Sequence, residues 1–191
     1  MRRSSLIVVA LIAAACQPNA SATPAPLPTA SSITSTSASP APTSSRAAAD
    51  FVLQEYPVTR GQGPHDVAPA RDGGIWYTAQ LSGELGWLDP KFGVMKAIKL
   101  GPGSAPHGVI VGPDGAPWVT DGGLNAIVRV DPATQEVKRF LMPADRPRAN
   151  LNTAVFDRDG RTLWFTGQSG VFGRLDTQSG TITVFDAPRV V

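Results

Sequence analysis

Three stretches of this sequence repeat one another landmark by landmark, and that internal period constrains the fold more than any whole-chain average. The first reads Pro64-His65-Asp66-Val67, Asp72-Gly73-Gly74, Trp76-Tyr77-Thr78 and Gly86-Trp87-Leu88-Asp89-Pro90. The second reads Pro106-His107-Gly108-Val109, Asp114-Gly115, Trp118-Val119-Thr120 and Val128-Arg129-Val130-Asp131-Pro132. The third has Asn152-Thr153-Ala154-Val155, Asp159-Gly160, Trp164-Phe165-Thr166 and Gly173-Arg174-Leu175-Asp176. The first two are offset by 42 residues throughout, the third by 45 or 46.

Each repeat reads as four short strands. The first ends at an Asp-Gly pair, which tolerates the positive φ of a tight hairpin, and the second carries the tryptophan. The third alternates, with Ala126, Val128 and Val130 on one side and Ile127 and Arg129 on the other. Asp-Pro then turns the chain into a half-polar fourth strand such as Val137-Lys138-Arg139-Phe140, which suits an outer edge. Four strands at a period of about 40–45 residues are the signature of a β-propeller blade. The expected fold is therefore all-β: a β-propeller of four-stranded antiparallel blades, at about 58–100, 101–143 and 144–188. The segment Val52-Leu53-Gln54-Glu55-Tyr56-Pro57 matches the ends of the repeats, so it reads as one further outer strand without its own blade.

Three blades do not close a ring, since propellers use roughly 4–8. An open stack leaves apolar blade faces uncovered, so missing blades or a partner chain are needed to close it. The expectation is the N-terminal part of a larger protein. A dimer of half-rings is the alternative, and it offers no vacancy for the extra outer strand.

The chain ahead of the repeats is of another kind. Residues 17–49 are almost entirely Ala, Pro, Ser and Thr, with one charge, Arg46, and they read as a disordered tether. Residues 1–16 read as a secretory signal: Arg2-Arg3, an apolar run from Leu6 to Ile12, then Ala13-Ala14-Ala15. The run is far shorter than the roughly 20 residues a membrane span needs. Cys16, the single cysteine, follows the alanines as in a bacterial lipobox, although Ala13 stands where such boxes usually carry leucine. It is the candidate lipidation site, which makes the protein an envelope lipoprotein held to the membrane only by its lipid. Ordinary cleavage, giving a soluble periplasmic or secreted protein, is the alternative. Between Asp50 and Val191 there are 14 Lys and Arg against 15 Asp and Glu, in no basic cluster, so nucleic acid is not an expected partner.

The pattern Pro-His-Gly-Val…Gly-Pro-Asp-Gly-x-x-Trp-Val-Thr, then Asn-x-Ile-x-Arg-Val-Asp, stands at Pro106 to Thr120 and Asn125 to Asp131. It resembles the streptogramin B lyase (virginiamycin B lyase) family, and through the repeats the resemblance covers residues 52–188. Calcium-binding lactonase-type and NHL-type propellers share parts of the pattern. The resemblance implies a seven-bladed propeller that linearises a cyclic depsipeptide by elimination across its threonyl ester, with a histidine base and Mg²⁺. It also implies Glu-Pro-His-Gly in the working repeat and a second glutamate four residues after that repeat's tryptophan. Here the first slot holds Gly63 and Ala105 before Pro-His, and Asn152 replaces the histidine of the third repeat. The second slot holds Gln80, Gly122 and Gln168. The catalytic residues are thus unknown in this chain and no cofactor is evident in it; Mg²⁺ belongs to a full family lyase.

His65 and His107, the only histidines, occupy equivalent positions in neighbouring repeats. Innermost propeller strands face the central channel, so both are candidates for a ligand pocket, with Asp66 and Asp121 as candidates to join them. The bland alternative is a histidine bonded to backbone beside each proline turn. Two histidines alone do not make a tetrahedral metal site. A small molecule or peptide is the expected ligand class. The competing function is a non-catalytic envelope propeller that binds a peptide, a cell-wall component or a partner protein; a decayed gene is a third reading. Trp76, Trp118 and Trp164 are expected to pack between blades, and Asp72, Asp114 and Asp159 to serve turns. The longer loop with Arg146, Pro147 and Arg148 reads as solvated.

Overall fold

The computed structural model describes residues 53–188. The signal, tether and Cys16 readings, and Val52 of the extra strand, lie outside those residues. Twelve strands form three four-stranded antiparallel sheets, each joined in chain order. The first blade holds β1 (Pro64–Pro69), β2 (Ile75–Ala79), β3 (Glu84–Leu88) and β4 (Met95–Lys99). The second holds β5 (Pro106–Val111), β6 (Pro117–Asp121), β7 (Ala126–Val130) and β8 (Val137–Leu141). The third holds β9 (Leu151–Phe156), β10 (Thr162–Gly167), β11 (Val171–Asp176) and β12 (Ile182–Asp186). Neighbouring blades meet along their first strands, β1 against β5 and β5 against β9. This is the propeller architecture read from the period.

Turn chemistry repeats with the strands. Gly73, Gly115 and Gly160 take positive φ (87°, 81° and 66°) in the Asp-Gly turns between the first two strands of each blade. Asp89, Asp131 and Asp176 each accept two backbone N–H bonds at the turn into the outer strand. These are short local bonds from an Asx side chain to the amides that follow it.

The core lies between blades. Ala68, Trp76, Leu85 and Ile98 of the first blade pack on Val109, Val119, Val128 and Val130 of the second. Trp118, Ile127 and Phe140 of the second pack on Leu151, Leu163, Phe165 and Leu175 of the third. Trp118 stacks on Phe140 and meets the edge of Phe156, with ring centroids 5.6 Å apart in both cases. Both sides of a middle blade are therefore apolar, which explains why Ile127 and Val128 are equally buried.

One element differs from the sequence expectation. Residues 53–57 form no strand. A strand exists through its ladder, and residues 53–57 join none of the three sheets, each of which takes its four strands from its own repeat. Instead the Tyr56 hydroxyl donates to the Pro90 carbonyl at the β3–β4 turn.

Candidate functional site

The site grows from an irregularity common to all three inner strands. The register of β1 on β2 shifts between Pro64 and Val67, and that of β5 on β6 between Pro106 and Gly108. On β9 and β10 it shifts between the Ala154–Phe165 and Leu151–Gly167 pairs. Each blade thus bulges at the residues His65-Asp66, His107 or Asn152-Thr153. A bulge leaves an amide without its ladder partner and re-aims the side chain beside it.

A threonine takes up the freed amide. Thr78 Oγ1 accepts from Asp66 N at 2.9 Å, and Thr120 Oγ1 accepts from Gly108 N at 2.9 Å. Each hydroxyl then donates to the next blade: Thr78 to the His107 carbonyl at 2.9 Å, and Thr120 to the Asn152 carbonyl at 2.5 Å. The acceptor in each case belongs to the neighbour's own bulge. A continuous hydrogen-bonded line therefore runs bulge to threonine to bulge around the inner wall. Sequence reasoning recorded these threonines as landmarks but assigned them no role.

That line brings the two histidines together. Their ring centroids are 4.0 Å apart, with planes tilted by 51°. Burial, then the neighbouring His65, push the His107 pKa below the ordinary imidazole value; the Asn152 backbone and the Asp66 carboxylate pull the other way. A close imidazole pair resists a second positive charge.

The two aspartates are placed differently. Asp66 sits at the bulge, accepting from Val67 N at 2.9 Å and, across the blade junction, from Val109 N at 3.0 Å. Asp121 is fully buried at the end of β6 and accepts from Ser104 Oγ, Ala105 N and Leu124 N. Its bonds fix the chain entering and leaving β5–β7, and its register partner is Pro106, next to His107. Trp76 and Trp118 lie in the inter-blade cores, whereas Trp164, in the same slot, is half-exposed. The 146–149 loop is anchored rather than merely solvated. Asn125 donates to the Arg146 carbonyl and accepts from Ala149 N, and Arg146 pairs with Asp186 at 2.6 Å.

Chemically, the inner wall offers an imidazole pair, backbone groups held in register, and no oxygen cage. Among the described residues no group of three or more His, Cys, Asp or Glu side chains is arranged to hold a metal. Magnesium wants hard oxygen ligands in octahedral array. The carboxylates of Asp66 and Asp121 are already committed to amides and a hydroxyl, so these residues do not fit that ion.

A sequence profile described as the Virginiamycin B lyase family matches residues 36–190. Among solved structures, the chain is similar to selenomethionine-substituted virginiamycin B lyase from Staphylococcus aureus, at 28% identity and a TM-score of 0.65, over 72% of this chain and 46% of that one. It is similar at 30% identity and a TM-score of 0.65 to a catalytically inactive histidine-to-alanine variant of that lyase with quinupristin, over 73% and 46%. The extracellular domain of a one-component system from B. thetaiotaomicron is 15% identical with a TM-score of 0.55, over 72% and 18%, a likeness of fold alone. No curated protein sequence gives a significant match. The chain spans a little under half the length of the lyase structures it matches.

Proposed function

The chain belongs to the virginiamycin B lyase family, and we propose that it supplies a ligand-binding wall of such a propeller without the elimination chemistry, corresponding to its N-terminal, non-catalytic blades. The observation that carries this reading is the 4.0 Å contact of His65 with His107 on adjacent inner strands. Elimination across an ester needs a base near the acidic Cα–H and a cation on the ester oxygen in one pocket. An imidazole meets the first need. The glutamates of the resembling motif are replaced by Gly63, Ala105, Gln80, Gly122 and Gln168, and the residues present do not suit Mg²⁺, so no step is assigned to that ion. What is left is recognition, by stacking and hydrogen bonding, of a peptide or depsipeptide at the mouth of the channel.

Titration of quinupristin, read by tryptophan fluorescence, tests this reading. Saturable binding weakened at least about tenfold by His107→Ala is expected. No binding to the wild-type chain, or equal binding to the variant, overturns it. The loss of both glutamates from every repeat favours a second reading, in which the wall binds a cell-wall component or partner protein. A wild-type chain that ignores quinupristin but binds peptidoglycan fragments would support that one.

Export and acylation at Cys16 belong to the same proposal. They rest on the Arg2-Arg3, Leu6–Ile12 and Ala13–Cys16 pattern of the sequence. The expected intact mass from the membrane fraction is that of a chain beginning at Cys16 and carrying lipid; a chain that keeps its N-terminus excludes it.

A further inference from the structure

We propose that a cleft between the first and second blades binds a pyranose ring, such as the end residue of a glycan. It lies away from the histidines: His65 stands near the start of β1, whereas Asp72 of the cleft follows that strand's end. The site begins in a departure from the repeat. Across the register, the tryptophan of the second strand faces Arg129 in the second blade and Arg174 in the third, but Trp87 in the first. The turn beside it departs too. Gly74 stands where the second repeat has Ala116, and the Trp87 indole lies where a Gly74 Cβ would go. The glycine makes room for the indole.

This exchange leaves polar groups without partners. In the second blade Asp114 Oδ1 accepts from Ala116 N and Trp118 Nε1, and Oδ2 pairs with Arg129 at 2.8 Å. In the first blade Trp87 Nε1 takes over the bond to Asp72 Oδ1, at 3.4 Å, and Asp72 Oδ2 has no partner among the described residues. Trp118 and Trp164 donate to aspartates at 3.3 and 3.2 Å, whereas Trp76, only 5% exposed, has no such bond. No fully buried side-chain nitrogen or oxygen among the described residues lacks a partner, so the Trp76 Nε1–H reaches the cleft that its ring lines. That cleft measures about 120 Å³, below the roughly 300 Å³ of a site for a drug-sized ligand, so it admits one ring-sized group. Asp72, Trp76, Trp87 and Lys96 line it from the first blade, Pro132 and Gln135 from the second. The Lys96 ammonium lies 5.1 Å from the Trp87 ring centre. An anion here would meet Lys96 but face the Asp72 carboxylate, and a cation would meet the reverse. A neutral ring of hydroxyls, each both donor and acceptor, satisfies the Trp76 donor and the Asp72 acceptor together, while its C–H face suits the indole. Both walls are described blades, and the inference is independent of the inner-wall reading.

Indole N–H spectra of the complete chain by NMR test it. The probes are methyl glucoside, methyl galactoside and methyl N-acetylglucosaminide, with sorbitol as the open-chain control. With at least one glycoside the Trp76 and Trp87 signals should shift saturably, at a Kd of about 1 mM, while those of Trp118 and Trp164 stay in place. Trp87→Arg brings in the residue type of the other two repeats and should weaken binding at least about tenfold. Lys96→Ala, at an exposed position, should weaken it at least about threefold; circular dichroism verifies that both variants are folded. No saturable shift with any of the three glycosides, equal shifts with sorbitol, or unchanged binding in both variants would overturn the proposal.

Discussion

Thr78 and Thr120 each satisfy an amide freed by a bulge and a carbonyl on the next blade, at sites closed to water. Replacement by valine keeps the volume and strands both backbone groups, at a cost of about 1–3 kcal/mol per unsatisfied group. Thr78→Val and Thr120→Val should each lower Tm by roughly 5–10 °C. Thr166→Val should change it by no more than about 2 °C, because its hydroxyl is exposed and has no partner among the described residues. Calorimetry of the three variants checks the contrast. His107 gives the second residue-scale expectation. Its folded pKa lies below the unfolded value of about 6.5, so the unfolded chain binds more protons in between. That contribution to stability is complete above about pH 6.5 and is lost as the pH falls below it. The carboxylates of Asp131, Asp159 and Asp176, held low by amides and arginines, lose theirs only below about pH 4. A denaturation series from pH 8 to 5 should therefore show declining stability. NMR titration of His65→Ala should show the His107 midpoint rising, since the like charge beside it is gone.

Within a blade, side-chain size is shared across the second and third strands. Tyr77 faces Gly86, Val119 faces Val128, and Phe165 faces Gly173 in register. Gly86 is present because the Tyr77 ring lies where its Cβ would go. Two large groups, or two absent ones, would leave the layer on that face of the blade overfilled or hollow. Gly86→Val should destabilise by about 1–3 kcal/mol through overpacking. Adding Tyr77→Val should return part of that loss, with a favourable coupling in urea melts; additive losses would mean the glycine answers to the backbone instead. This pairing was not legible beforehand, since it needs the register between strands. The strands themselves were legible, because turn signals and alternation recur three times and each repeat checks the others. The bulges were hidden, because each lies at the first residues of its six-residue strand, ahead of most of the alternation that marks it. Asp121 reads along the sequence as a polar residue near the histidines, and only folding turns it inward to its three donors.

At the scale of the molecule, Trp164 marks how the third blade differs from the other two: a core residue in the other repeats, half-exposed here. The period foretold uncovered faces but not which slots they expose. Residues 53–57 were read as a strand from their likeness to β8 and β12, and that likeness cannot create a partner edge. The candidate site was legible in part: equal spacing placed His65 and His107 on adjacent inner strands, while their contact depends on bulges and threonines that position both backbones. The central claim is that this chain has the family's wall without its chemistry. The most direct measurement is chromatography of quinupristin after incubation with the complete chain and Mg²⁺, because elimination opens the ring without changing the mass. Quinupristin recovered in its cyclic form is the expected result. A linear isomer that forms with the chain and not with His107→Ala would contradict the claim and make this wall catalytic.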